Sequence, residues 1–119
     1  MKISKDFEFA AAHKLNLPYD SPCERLHGHN YKLSVTLVGE LNKDGMIMDF
    51  KELKSIVTQE VISMLDHQDL TGFFIINHQP VNATAEIMSK WIYERLIYRL
   101  PELHKVRLWE TTDSSAEYP

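Results

Sequence analysis

Two stretches of alternating polar and apolar residues constrain this chain more than any other feature. Alternation over many positions is the pattern of a β-strand with one buried face. The first stretch runs from Ile3 to His13, and the second runs from His27 to Gly39. Because side chains two positions apart on a strand point to the same side, both strands are expected to carry histidines on their apolar face.

Turn residues and helical periodicity organise the middle of the chain. Residues 42–45, Asn-Lys-Asp-Gly, predict a turn, after which Met46–Met48 is expected to return as a short paired strand and complete an antiparallel hairpin. Apolar residues then recur at helical intervals from about Phe50 to Leu65, behind the capping-box spacing of Asp49 and Glu52. The sequence therefore predicts a first helix over that range.

A second helix and a final strand complete the predicted elements. After a loop, Asn82 or Thr84 is expected to cap the second helix, and Pro101 marks its end. The last alternation, from Val106 to Thr112, predicts a strand that places Glu110 on a partly apolar face. The order of strands, helix, helix and strand favours an α+β fold, in which two helices pack on one face of an antiparallel sheet.

Length, charge and cysteine content narrow the class of protein. The 119 residues, 1–119, are expected to form a single domain. With a formal charge of −4 and no run of Lys or Arg, the chain lacks the basic patch typical of nucleic-acid or acidic-lipid binding. No membrane-spanning segment or signal peptide is predicted, and the single Cys23 fits a reducing compartment, so we expect a cytoplasmic protein.

The tripeptide His27-Gly28-His29 is the most informative motif. Both imidazoles point to one side of the strand, and Gly28 leaves room for close approach of a neighbouring backbone. His13 has the parity to add a third ring nitrogen from the adjacent strand. A lone histidine is more often a satisfied, half-buried residue, but a pair in phase with a third favours a metal site. Three imidazoles suit zinc and leave its fourth tetrahedral position open, which is typical of catalysis.

Cys23 precedes His27 by four positions, in the pattern Cys-x-x-x-His-Gly-His. Its thiol has two possible duties beyond that of an inert small hydrophobe. It could complete a closed zinc site as the fourth ligand, or it could stand beside the metal as a thiolate that moves protons. The residues alone leave both alternatives open.

Three further acidic or histidine side chains are candidates for the same site. Asp66 and His67 follow the first helix directly, where a carboxylate can orient an imidazole, although adjacent residues are not expected to bond each other directly. Asp66 could equally be a solvated loop residue. Glu110 faces inward by strand parity and needs a partner to be buried, such as a bidentate donor edge on a ligand.

With these positions in hand, the chain resembles the 6-pyruvoyltetrahydropterin synthase family over nearly its whole length. The family's fold is of the tunnelling type, in agreement with the predicted order of elements. Six ordered blocks carry the resemblance: residues 9–13, 23–31, 45–54, 65–70, 82–86 and 110–111.

The resemblance implies a role for each candidate residue. Histidines hold zinc, a cysteine moves protons on the substrate side chain with the help of an Asp-His relay, and a glutamate grips the 2-amino and ring N–H edge of a pterin. The corresponding residues are His13, His27 and His29 for the metal, Cys23, Asp66 and His67 for proton transfer, and Glu110 for the pterin.

The resemblance also implies a reaction and an assembly. It implies conversion of 7,8-dihydroneopterin triphosphate to 6-carboxy-5,6,7,8-tetrahydropterin, with loss of triphosphate and acetaldehyde. The spacer between Cys23 and His27 is similar to that of the carboxy-forming bacterial branch, which acts in queuosine biosynthesis. A homo-oligomer is implied, with a hexamer of two stacked trimers favoured. The alternatives are a pyruvoyl-forming or folate-pathway side-chain lyase, and a non-catalytic zinc- or pterin-binding protein with a closed metal site.

Overall fold

A computed structural model describes all residues from Met1 to Pro119. Two sheets and a set of helical segments make up the chain. In chain order the elements are β1 (Lys2–His13), a 3₁₀ turn (Pro22–Glu24), β2 (His27–Val38), α1 (Phe50–Val57), a π-helical segment (Thr58–Ile62), α2 (Ser63–Leu65), β3 (Gln68–Asp69), β4 (Ile75–Ile76), β5 (Gln79–Pro80), α3 (Ala85–Leu96), β6 (Leu103–Trp109) and β7 (Ser115–Tyr118). The main sheet has five strands in the order β3-β1-β2-β6-β7, and β4 and β5 form a separate small hairpin.

The two predicted long strands pair with each other along their full length. β1 and β2 are antiparallel, with Lys2 opposite Val38 at one end and His13 opposite His27 at the other. Their apolar faces contribute to one buried core together with side chains from both helical regions, among them Leu53 and Met88. Both helices therefore cover the same face of the sheet, which confirms the predicted α+β architecture.

The first helix occupies the predicted range but is not regular throughout. Asp49 caps it, with a carboxylate oxygen accepting the backbone N–H of Lys51 at 2.8 Å. The π-helical segment Thr58–Ile62 interrupts the α-helical pattern before α2 ends at Leu65. For the second helix, Thr84 is the cap, accepting the N–H of Ile87 at 3.2 Å.

The predicted return strand at Met46–Met48 is wrong. Residues 46–48 form no strand, although the turn before them exists and the Asn42 N–H donates to the carbonyl of Met46 at 2.8 Å. The physical reason is that the half of β2 nearest this segment is paired on both sides. β1 pairs along one side of it and β6 pairs along the other, so no hydrogen-bonding groups remain for a hairpin partner.

Four short strands were not predicted, and two of them, β4 and β5, pair with each other in the segment expected to be a loop. β3 pairs in parallel with Ala11 and Ala12 of β1, so the sheet is mostly but not wholly antiparallel. β7 pairs antiparallel with β6 and forms the other edge of the sheet. No helix is both long enough and apolar enough to cross a membrane.

Candidate active site

The paired ends of β1 and β2 bring three imidazoles together. His13 lies directly opposite His27, and their Nε2 atoms are 3.0 Å apart. The ring of His29 lies 5.2 Å from that of His13 and 4.9 Å from that of His27, measured between centroids. His13 is 1% exposed, whereas the two β2 histidines are partly accessible. His13 therefore lies on the buried side of the cluster, and His27 and His29 lie on its accessible side.

Backbone carbonyls fix the direction of two of these rings. Nδ1 of His13 lies 2.8 Å from the carbonyl oxygen of Ala83, and Nδ1 of His27 lies 2.7 Å from that of Arg25. A carbonyl only accepts, so each Nδ1 carries the hydrogen, and each neutral ring then directs the lone pair of Nε2 into the cluster. Such outer hydrogen bonds are typical of histidines that bind metals.

This donor set fits a cation. Two Nε2 lone pairs facing each other at 3.0 Å repel unless a proton or a metal ion lies between them. Nε2 of His29 is buried without an aligned hydrogen-bond partner, which is a costly arrangement for a polar atom in the absence of a ligand. One ligand atom from each histidine and one from Glu110 lie within 4.8 Å of one another. Three imidazole nitrogens with one carboxylate oxygen are a set that zinc accepts.

Glu110 reaches the cluster from the end of β6. Its Oε1 lies 3.0 Å from Nε2 of His29 and 3.4 Å from Nε2 of His13. The inward direction predicted from strand parity is confirmed, but the sequence did not predict direct contact with the imidazoles. Burial lowers the pKa of His29, the Glu110 carboxylate raises it, and the neighbouring imidazoles of His13 and His27 lower it further. The net effect is a neutral ring, which is the form that binds a metal.

Tyr31 adjoins the cluster and was not among the predicted site residues. It is 1% exposed and stacks on Phe9 with centroids 5.0 Å apart. Its hydroxyl lies 3.5 Å from Nδ1 of His13, and its ring meets that of His29 edge-on at 5.6 Å. Burial raises the pKa of this phenol, with the Glu110 carboxylate adding to the effect. The sequence signal was present, since Tyr31 follows the histidine pair in the same alternation.

Cys23 lies outside the set of converging ligand atoms. It sits in the 3₁₀ turn capped by Ser21, and its carbonyl accepts the N–H of Leu15 at 2.7 Å. That bond connects the cysteine loop, residues 21–25, to the chain just beyond His13. Glu110, not Cys23, supplies the fourth converging donor atom. Cys23 is partly buried in its turn, four positions before His27 in the sequence.

Asp66 and His67 lie together on the outer edge of β1. Contrary to expectation, the adjacent side chains contact each other, with Oδ1 of Asp66 2.9 Å from Nδ1 of His67. The φ angle of His67 is +60°, an unusual backbone conformation for a non-glycine residue that accompanies this contact. The same carboxylate oxygen accepts the N–H of Ala10 at 3.0 Å, and this bond, followed by the His67 interaction, holds the pKa of Asp66 below its usual range.

The relay does not join the histidine cluster within this chain. His67 is 81% exposed, and neither relay side chain is among the converging ligand atoms. A cleft of about 430 Å³ is lined by residues that include His67 and His29. Asp66 and His67 therefore orient each other, and the imidazole of His67 is exposed at this edge of the sheet.

Comparisons with known proteins show the family to which the chain belongs. The sequence matches the family described as 6-pyruvoyl tetrahydropterin synthase over residues 2–119. It is 37% identical to the 6-carboxy-5,6,7,8-tetrahydropterin synthase of Haemophilus influenzae, over 98% of this chain and 97% of that protein. It is also 37% identical to a dihydroneopterin monophosphate aldolase of Pyrococcus furiosus, over 92% of this chain and 89% of that protein.

A solved structure gives the same result for the fold. The 6-pyruvoyl tetrahydropterin synthase of Caenorhabditis elegans superposes with a TM-score of 0.82 at 26% identity, covering 99% of this chain and 94% of that one. The chain belongs to the 6-pyruvoyl tetrahydropterin synthase family. It is an enzyme of the lyase type, as the names of its relatives indicate.

Proposed function

We propose that this enzyme is a zinc-dependent lyase that converts 7,8-dihydroneopterin triphosphate to 6-carboxy-5,6,7,8-tetrahydropterin. Triphosphate and acetaldehyde leave in the reaction, and the product enters queuosine biosynthesis in the cytoplasm. The observation that carries the proposal is the convergence of His13, His27 and His29 on one point, in a chain 37% identical to a carboxy-forming relative over almost its full length.

The three histidines would hold the metal, and the Nδ1 atoms of His13 and His27 are already engaged by backbone carbonyls. When bound, zinc polarises a hydroxyl or carbonyl oxygen of the substrate side chain and so acidifies the neighbouring C–H bond. The remaining work, which is binding the pterin and moving protons, falls to side chains of the protein.

Glu110 is the candidate pterin anchor. Its carboxylate is 29% exposed and lies at the accessible side of the cluster, where two oxygens can accept a paired N–H edge. In the absence of substrate the same carboxylate approaches His29 at 3.0 Å. A pterin would therefore draw Glu110 away from the imidazoles and leave the accessible side of the cluster to the substrate side chain.

Cys23 is the candidate proton-transfer group. A thiolate next to a metal-bound side chain can remove the acidified proton, and such general base catalysis contributes about 10²- to 10⁴-fold to rate. Asp66 would orient His67, and a positioned imidazole of this kind is suited to pass a proton to or from the substrate. Since His67 is exposed at a sheet edge, this role requires that another surface complete the pocket.

A homo-oligomer would supply that surface. On its outer side β1 has a strand partner only at Ala11 and Ala12, and Asp66 and His67 bond to Ala10, so the edge from Lys2 to Phe9 has no neighbouring strand. β7 is the opposite open edge. Joining the edges of neighbouring copies would close the sheet and remove both liabilities, and we propose a hexamer of two stacked trimers with sites at the subunit interfaces.

The decisive experiment is product analysis. Metal-loaded enzyme incubated with 7,8-dihydroneopterin triphosphate should give 6-carboxy-5,6,7,8-tetrahydropterin and acetaldehyde in equal amounts. A 6-pyruvoyl product would favour the pyruvoyl-forming alternative. Release of a 6-hydroxymethyl pterin, or a preference for the monophosphate, would favour the aldolase alternative, to which the similarity with the Pyrococcus furiosus enzyme points.

A non-catalytic protein with a closed zinc site is separated by Cys23→Ala. The proposal expects this variant to keep one zinc per chain while turnover falls about 10²- to 10⁴-fold. Metal content is measured on the purified protein, and turnover is measured by product formation. A variant that loses zinc would identify the thiol as a ligand and would overturn the proton-transfer role.

A further inference from the structure

Asn82 makes a two-way contact with the backbone of Asn16. Its Oδ1 accepts the N–H of Asn16 at 2.8 Å, and its Nδ2 donates to the carbonyl of the same residue at 3.0 Å. Both backbone groups of one residue are thus held by a single side chain 66 positions away. No proposed catalytic role accounts for this contact.

The segment held in this way connects directly to the cysteine loop. One residue before Asn16, the N–H of Leu15 donates to the carbonyl of Cys23 at 2.7 Å. One residue earlier, the N–H of Lys14 donates to the hydroxyl of Thr71 at 3.0 Å. Each residue of the segment Lys14–Asn16, which follows His13 immediately, is therefore bonded to a different part of the chain.

The residues that follow Asn82 in the chain orient the ring of His13. The carbonyl of Ala83, which is 2% exposed, orients His13 through Nδ1 at 2.8 Å. Thr84 then caps α3, so that this carbonyl is anchored to the start of a 12-residue helix. Asn82 thus lies between two connections, one to the ring of His13 and one to the backbone that carries Cys23.

We propose that Asn82 is a positioning residue that sets the placement of Cys23 relative to the ring of His13. The inference rests on the proposed function, in which the thiol acts on a substrate held at the histidines. Without the double hydrogen bond, the Lys14–Asn16 segment would move independently of the Ala83 carbonyl. The Leu15 bond would carry that motion to the cysteine loop.

The variant Asn82→Ala tests this, with Asn42→Ala as the matched control. Asn42 also makes two hydrogen bonds from its side chain to backbone groups, the N–H groups of Asp44 and Met46, in a turn away from the site. In Asn82→Ala we expect kcat to fall about 10- to 100-fold with little change in KM, as for other residues that orient a metal site from outside it. Asn42→Ala should keep the wild-type kcat.

Two measurements on metal-free protein are independent of turnover. Hydrogen exchange at the Leu15 amide, which bonds to Cys23 rather than to Asn82, should accelerate about tenfold in Asn82→Ala. Alkylation of the Cys23 thiol should change several-fold in rate. Asn82→Asp is a second variant, for use if Asn82→Ala folds poorly. It keeps the Oδ1 acceptor but places a carboxylate oxygen against the Asn16 carbonyl, and it should show the same pattern.

The outcomes separate the two proposals. If only the Asn16 amide exchanges faster, with Leu15 exchange, thiol alkylation and kcat all as in Asn42→Ala, Asn82 is a local loop contact and the inference is wrong. If wild-type enzyme forms no product from any dihydroneopterin phosphate, the proposed function fails. The exchange and alkylation rates then still decide whether Asn82 places the cysteine loop.

Discussion

The two ends of the β1–β2 pair share one alternating pattern and differ in what they bury. The near end is the one where His13 pairs with His27, and the far end is the one where Lys2 pairs with Val38. Toward the far end, Leu33, Val35 and Leu37 are fully buried among other apolar side chains. At the near end the same alternation places His13 and His29 inward, and the buried Nε2 of His29 has no aligned partner. The far end is arranged for stability and the near end for binding a ligand, at some cost to the metal-free fold.

Removing a ligand at the near end should have the largest effect. His29→Ala is expected to lower zinc affinity by more than about 100-fold, because even the outer partners of metal ligands contribute about 10- to 100-fold. Turnover should fall to background, while the free energy of unfolding of the metal-free protein should change little. Metal titration and urea denaturation measure the two quantities. Wild-type zinc affinity in this variant would contradict the assignment of the site.

The reverse result is expected at the far end. Leu33→Ala should lower the free energy of unfolding by about 2–5 kcal/mol, since it opens a cavity at a fully buried leucine on the central strand. The folded fraction should bind zinc with wild-type affinity. Urea denaturation of metal-free protein gives the first quantity and metal titration gives the second. If this variant lost zinc affinity as strongly as His29→Ala, the two ends would not be separable.

A substitution at Glu110 distinguishes a substrate-binding role of its carboxylate from a metal-ligand role. Glu110→Gln keeps the size of the side chain but removes its charge, so a pterin anchor would lose its charge-assisted hydrogen bonds and KM would rise about 10-fold. Zinc affinity should remain as in wild type. The control is the zinc titration on the same preparation. A large loss of zinc affinity with unchanged KM would show that the carboxylate is a metal ligand.

The smallest effect expected is a pH dependence of the metal-free fold. The pKa of His29 lies below its ordinary 6.5, chiefly through burial and despite Glu110. As pH falls below about 6.5, the unfolded chain takes up a proton that the folded chain does not, so stability falls with falling pH. Urea denaturation of metal-free protein at several pH values between 7.5 and 5.5 measures this. His29→Gln should show a shallower slope, and an equal slope would locate the effect at other groups.

The histidine cluster was predictable because its residues repeat a local rule. His13, His27 and His29 fall on the inward positions of two strands, and strand parity alone predicts that they share a face. Their register required the structure, since nothing local specifies that His13 pairs with His27 rather than with a neighbour. The contact between Oε1 of Glu110 and His29 also depends on β6 lying next to β2.

The errors concern pairing rather than element type. Met46–Met48 has the composition of a strand, but both edges of β2 are occupied before this segment could pair. β3 and β7 are too short to give a periodic signal, and each exists because a neighbouring strand offers an open edge. Asp66 and His67 contact each other where the backbone of His67 adopts a positive φ, a conformation that sequence spacing does not reveal.

By itself, the sequence determined which side chains face inward, where the two long strands and two helices lie, and which residue types are available for a metal. These follow from periodicity and side-chain chemistry, both of which are properties of neighbouring residues. Only the tertiary structure decided which strands pair, that Glu110 closes the cluster, and that Asn82 connects the cysteine loop to His13. Those contacts join positions tens of residues apart, and they form only when the whole core packs.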